Sequence, residues 1–173
     1  MGNVNSRRIM QEFAGRTRRN IQHIKTGKER FRHNVFEVTE VFNSLLSLIV
    51  LPEALVLDPP LNTSLDRLEN GRWPEAIINL SGVFPSLGVF LYCMRNSIAH
   101  GDFAYLPGGE GEIASVVFGG SCRKPHDPTE WEIELPVGDL FLFVFSLCDM
   151  WENHPENTQF KRDISHLVRQ DVR

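Results

Sequence analysis

The sequence predicts a mainly α-helical bundle with a small β-hairpin inserted before its last long helix. Three observations carry that expectation. Apolar residues recur at helical spacing over 35–51, 87–100 and 137–151. Trp131-Glu132-Ile133-Glu134-Leu135 alternates strictly between apolar and acidic residues, the pattern of a strand with one buried face. A β-rich run, Ile113–Phe118, lies shortly before it and supplies the second strand. With 173 residues, 42% of them hydrophobic, the chain suffices for one domain, 1–173, with its own core. The longest apolar run, Leu45–Leu51, contains Ser47 and stops at Pro52. That is far short of the ~20 residues that span a bilayer, so no membrane is expected. Arg7 and Arg8 lead into further charge rather than an apolar segment, so no signal peptide is expected either.

The first element is a basic helix over 6–26, with Ile9, Met10, Phe13, Ile21 and Ile24 as a thin apolar stripe. Residues 1–33 hold nine Lys/Arg and two acids, a net of +7, which leaves −11 for the other 140 residues. A basic arm on an acidic body reads as a polyanion contact, with Arg16 and Arg19 as candidate residues. It reads equally as a solvated helix that pairs with the body.

Asn34, with Glu37 three residues on, reads as the N-cap of a central helix over 35–51. Its apolar residues cover most of its circumference and leave one polar strip, Thr39, Asn43 and Ser47. The strip suits a helix–helix contact through small residues. Alternatively, Asn43 faces the same cavity as Arg95. Pro52 is expected to end this helix, and Pro59-Pro60 rules out another before residue 64. Ser64–Arg67 opens a short turn that stops at Asn70-Gly71. Trp73-Pro74 starts another piece, which Gly82 and Pro85 break.

The stretch Leu87–Asp102, LGVFLYCMRNSIAHGD, organises the rest. At 100° per residue, Leu87, Phe90, Leu91, Met94 and Ile98 form one buried stripe. Arg95, Asn96 and His100 fall on the opposite arc, at about 0°, 100° and 140°, with Tyr92 and Ala99 between the first two. Gly101 suits the helix end. Beyond it, a loop through Pro107-Gly108-Gly109 and Gly111 leads into the first strand, expected to stop at Gly119-Gly120. A long loop through Pro125 and Pro128 leads to the second. Val137–Trp151 is the last helix, with Asp139 near its start. A polar tail from Asn153 has room for a short helix at 158–169. Cys93, Cys122 and Cys148, odd in number and widely spaced, read as reduced thiols of a cytoplasmic protein.

A guanidinium, an amide and an imidazole at one helix end suit a phosphate. With fourteen arginines and six histidines in the chain, the Arg-x4-His spacing recurs, and a second match runs from Arg18 to His23. That one sits mid-helix, with Arg19 where the first has Asn96. A histidine in a last helical turn followed by glycine is also an ordinary helix end. The weight therefore rests on placement: the polar arc of an otherwise buried helix.

The Arg95-Asn96-Ser97-Ile98-Ala99-His100 segment resembles the R-X4–6-H signature of the HEPN superfamily, in which a polar residue commonly follows the arginine. The apolar helix before it, the stretch Val38–Glu53, and the hairpin and apolar helix after it are similar to a small plasmid- and bacterium-borne HEPN group. The resemblance covers roughly residues 15–150 and implies a HEPN-like bundle. It implies a metal-independent endoribonuclease of toxin or defence type that needs no cofactor or metal. Arg95, Asn96 and His100 would be catalytic, and Tyr92, Ser97, Asn43, Arg16 and Arg19 would be candidate RNA contacts. Expected products are 2′,3′-cyclic phosphate and 5′-hydroxyl ends. Cleavage needs a base and an acid, and one imidazole per chain supplies one of them. A two-fold homodimer through the 87–102 helix would supply both, as HEPN proteins characteristically do. A cognate antitoxin protein is a candidate partner. The competing expectation is a non-catalytic dimeric module that binds a nucleotide or a protein.

Overall fold

The computed structural model describes residues 3–27, 37–54, 63–109, 112–124 and 127–153. Its elements run α1 (Asn3–Gly27), α2 (Glu37–Ala54), a 3₁₀ turn (Leu65–Arg67), α3 (Glu75–Ile78), a second 3₁₀ turn (Asn79–Gly82), α4 (Leu87–His100), β1 (Phe103–Pro107), β2 (Ile113–Lys124), β3 (Asp127–Pro136) and α5 (Val137–Glu152). The described residues thus form a mainly helical fold with one antiparallel sheet in the order β1-β2-β3. The N-cap expected at Asn34 and the helix expected at 158–169 lie outside them.

Alternation places the two faces of the sheet. Val116, Phe118, Trp131, Ile133 and Leu135 point into the core and are buried. Glu130, Glu132 and Glu134 point outward and are exposed. The register pairs Phe118 with Ile133 and Gly120 with Trp131. On the inner face lie α4 and α5, with α5 also packed against α1 and α2. The core is built around aromatic rings. Phe90 of α4 meets Phe84, Trp131 and Phe143 at centroid distances of 5.4, 6.2 and 6.0 Å. Such edge and tilted pairs contribute about 0.5–1.5 kcal/mol each beyond the area they bury.

Arg18 closes α1 onto α5. Its guanidinium forms ion pairs with Asp149 and Glu152, the latter at 2.9 Å, and lies 5.9 Å from the centre of the Phe145 ring. Gly15 makes the approach possible, because a Cβ there would stand 2.9 Å from Glu152 Oε1. The buried stripe of α1 is Met10, Ala14, Thr17 and Ile21, whereas Ile9 is half exposed.

The structure corrects several sequence expectations. Pro52 does not end α2, which runs on to Ala54. A proline this close to a helix end removes one backbone hydrogen bond in a turn that is already terminating. Thr39 and Asn43 are exposed and Ser47 is half-buried, so among the described residues no helix covers the first two positions of the polar strip of α2. β2 does not stop at Gly119-Gly120 but continues to Lys124, and the long loop is instead the paired ends of β2 and β3. Gly119 serves close pairing, since a Cβ there would lie 3.2 Å from the Trp131 carbonyl oxygen. β1 is a third strand that the sequence did not predict, paired through Phe103–Phe118 and Tyr105–Val116. Cys93 is disulfide-bonded rather than reduced, while Cys148 is free and buried. Wide spacing in sequence does not report distance in space, and α4 packs directly on β2.

Candidate functional site

The site is built on α4. Its start is defined by Ser86, whose hydroxyl oxygen accepts from the Val89 N–H at 3.4 Å. Its inward stripe, Leu87, Phe90, Leu91, Met94 and Ile98, is buried. With that face committed to the core, the opposite arc is left for chemistry. Arg95 and Asn96 are half-buried on it, and His100 and Tyr92 are exposed.

Arg95 Nη1 donates to Asn96 Oδ1 at 3.0 Å. The bond occupies the acceptor end of the amide and leaves its NH₂ end as a donor. The arrangement therefore presents donors from two adjacent side chains one turn before the imidazole. Among the described residues, no hydrogen bond or ion pair engages His100.

The helix end beneath His100 is locked. Gly101 has φ +76°, in the left-handed region where a residue with a Cβ is strained. The Gly101 N–H donates to the Ile98 carbonyl at 3.3 Å and the Asp102 N–H to the Ser97 carbonyl at 2.8 Å. These two bonds define a Schellman motif. The Ser97 hydroxyl donates to the Asp102 carbonyl at 2.7 Å, and the Gly119 N–H of β2 donates to the same oxygen at 3.0 Å. One carbonyl thus takes a donor from the helix and another from the sheet. The sequence pattern pointed to neither Asp102 nor Gly119 in this role. The Gly101 cap was the available signal.

The other expected contacts fall in different places. Ser97 is 2% exposed, with its hydroxyl engaged by Asp102, so it positions the helix end instead of facing a ligand. Asn43 is exposed on α2, which packs beside α4. Arg16 and Arg19 are exposed on α1, a helix that packs on α5 and α2; Arg16 pairs there with Glu12. Among the described residues, no group of three or more His, Cys, Asp or Glu is gathered where it could hold a metal. No single helix among them is long and apolar enough to cross a membrane.

A helical bundle that carries Arg-Asn-x3-His on the exposed arc of its buried helix defines a class, and comparison with known families agrees. Residues 1–158 match the family model described as HEPN pEK499 p136, and the chain belongs to this HEPN family. No curated protein and no solved structure matches the chain. Membership suggests a nuclease-like or nucleotide-binding function.

Proposed function

We propose that the protein is a metal-independent endoribonuclease of toxin or defence type. The observation that carries this reading is the arc of α4, where the Arg95–Asn96 pair lies one turn before an exposed His100. In RNA the 2′-hydroxyl attacks the adjacent phosphorus once a base takes its proton. His100 is the base, since a neutral imidazole has a ring nitrogen that accepts a proton. Arg95 holds the non-bridging oxygens with charge-assisted bonds and stabilises the charge that builds up in the transition state. Asn96 donates to the same phosphate through its free NH₂ end. As the new 2′-O–P bond forms, the P–O5′ bond breaks, and the leaving oxygen takes a proton. The products are a 2′,3′-cyclic phosphate and a 5′-hydroxyl.

That second proton comes from His100 of the partner subunit in a two-fold dimer that apposes the two α4 arcs. A cognate antitoxin would neutralise the enzyme by covering this face, and an RNA substrate places the protein's work in the cytoplasm. The test is incubation of the wild type, His100→Ala and Arg95→Ala with end-labelled RNA in EDTA. Cleavage to 2′,3′-cyclic ends by the wild type alone supports the reading. Cleavage by both variants sinks it, and RNA binding without cleavage by the wild type favours a non-catalytic binding module. Light scattering at micromolar concentration checks the dimer, since a monomer would lack the second imidazole.

A further inference from the structure

Tyr92 is one of four large hydrophobic side chains exposed among the described residues, at 42%. It lies on the arc of Asn96 and His100, four and eight positions before them. Along a helix axis those steps are about 6 and 12 Å. Between Tyr92 and His100 the arc is low: Ala99 is small and exposed, and Arg95 and Asn96 are half-buried. Tyr105 makes a useful control. It is just as exposed, at 44%, yet its ring edges onto Phe42 at 5.8 Å and Phe103 at 5.7 Å. Tyr92 has no such ring contact and no hydrogen bond among the described residues. Its flat face stands uncommitted, one turn beyond the donors that would hold a phosphate.

We propose that Tyr92 is a base-stacking subsite for the nucleotide next to the scissile phosphate. The inference rests on the ribonucleolytic reading and adds the residue that holds that base. The phosphate sits at Arg95 and Asn96, the reacting ribose lies toward His100, and the neighbouring nucleotide on the other side lies over Tyr92. Its base stacks on the phenol ring. A base in a duplex is already stacked between its neighbours, so this contact needs an unpaired nucleotide. In a dimer whose axis passes between the two copies of His100, each Tyr92 stands about 12 Å outward, at a mouth of the cleft.

The test uses the full chain with His100→Ala, so that the RNA stays intact. Its binding is measured by fluorescence anisotropy to a labelled single-stranded oligoribonucleotide and to one of equal length with abasic riboses. Adding Tyr92→Ala weakens binding of the first about tenfold and leaves the second unchanged. Adding Tyr92→Phe keeps wild-type affinity for both. Equal loss on both oligomers, or no loss on either, overturns the stacking subsite and leaves the ribonuclease reading standing. If the chain with Tyr92 intact binds neither oligomer and the wild type cleaves no RNA, both fall together.

Discussion

Two arginines in this chain stand five residues before a histidine on a helix, and the fold treats them differently. Arg18 of α1 is held by Asp149 and Glu152 of α5, and its guanidinium lies against Phe145. Its charge is neutralised inside the molecule, so its work is to join two helices. Arg95 of α4 donates to its own neighbour Asn96 at the rim of the fold, and His100 below it is exposed. The spacing is the same in both. What differs is position. Arg18 lies in the seam between α1 and α5, whereas Arg95 and His100 lie toward the end of α4 on the arc opposite its buried stripe. A sequence signature of this kind is therefore informative only together with what packs opposite it.

The comparison breaks most visibly in activity. His100→Ala should lower RNA cleavage by about 10²–10⁴-fold, the usual worth of a general acid–base group. His23→Ala should leave it unchanged, and equal losses in rate assays would erase the distinction between the two pairs. Stability should show the reverse order. Arg18→Ala removes two partly shielded ion pairs and leaves Glu152 facing the α1–α5 contact, at a cost of about 1–2 kcal/mol. Arg95→Ala, on the outer arc of α4, should cost less than Arg18→Ala. Urea midpoints of the two variants check this, and a larger drop for Arg95→Ala would make it the structural arginine. An effect of about 1 kcal/mol is expected for Ser97→Ala, which deletes the donor to the Asp102 carbonyl but leaves the Schellman bonds. Activity should follow only through the placement of His100.

The α1–α5 side also carries a pH signature. Burial pushes the Cys148 thiol up to about 12, with Glu152 and Asp149 adding to the shift against the opposing charge of Arg18. The folded chain therefore holds this proton more tightly than the unfolded chain, whose thiol titrates near 9. Below pH 9 both states are protonated and the group makes no difference. Between about 9 and 12 the unfolded state loses the proton first, so stability falls as pH rises. One thiol contributes at most about 1.4 kcal/mol per pH unit. Cys148→Ala should flatten the alkaline limb of a Tm–pH profile, and an unchanged limb would assign it to other groups.

Much of the site was legible because α4 combines an unbroken apolar stripe with a glycine stop, two signals of the same local kind. Leu87, Phe90, Leu91, Met94 and Ile98 all turn inward as their spacing requires. The illegible parts depend on partners distant in sequence. β1 is five residues long, runs into Pro107-Gly108, and exists because Phe103 and Tyr105 find Phe118 and Val116. Gly119 and Gly120 look like a strand end and are instead the place where β2 lies close to β3. Ile9 looks like core by composition, yet α1 turns Met10 and Ala14 inward and leaves it out. The disulfide at Cys93 and the ion pairs of Arg18 belong to the same class, since each needs a partner that no local window contains.

The Asp102 carbonyl, shared between the Ser97 hydroxyl and the Gly119 N–H, has a consequence for how the molecule opens. The last turn of a helix is ordinarily the first to fray, at almost no free-energy cost. Here unwinding the turn under His100 also breaks the Gly119 bond that begins the pairing of β1 with β2, so fraying of the turn is coupled to that end of the sheet. The amides of Gly101, Asp102 and Gly119 should then exchange with deuterium at a common, slow rate set by the sheet.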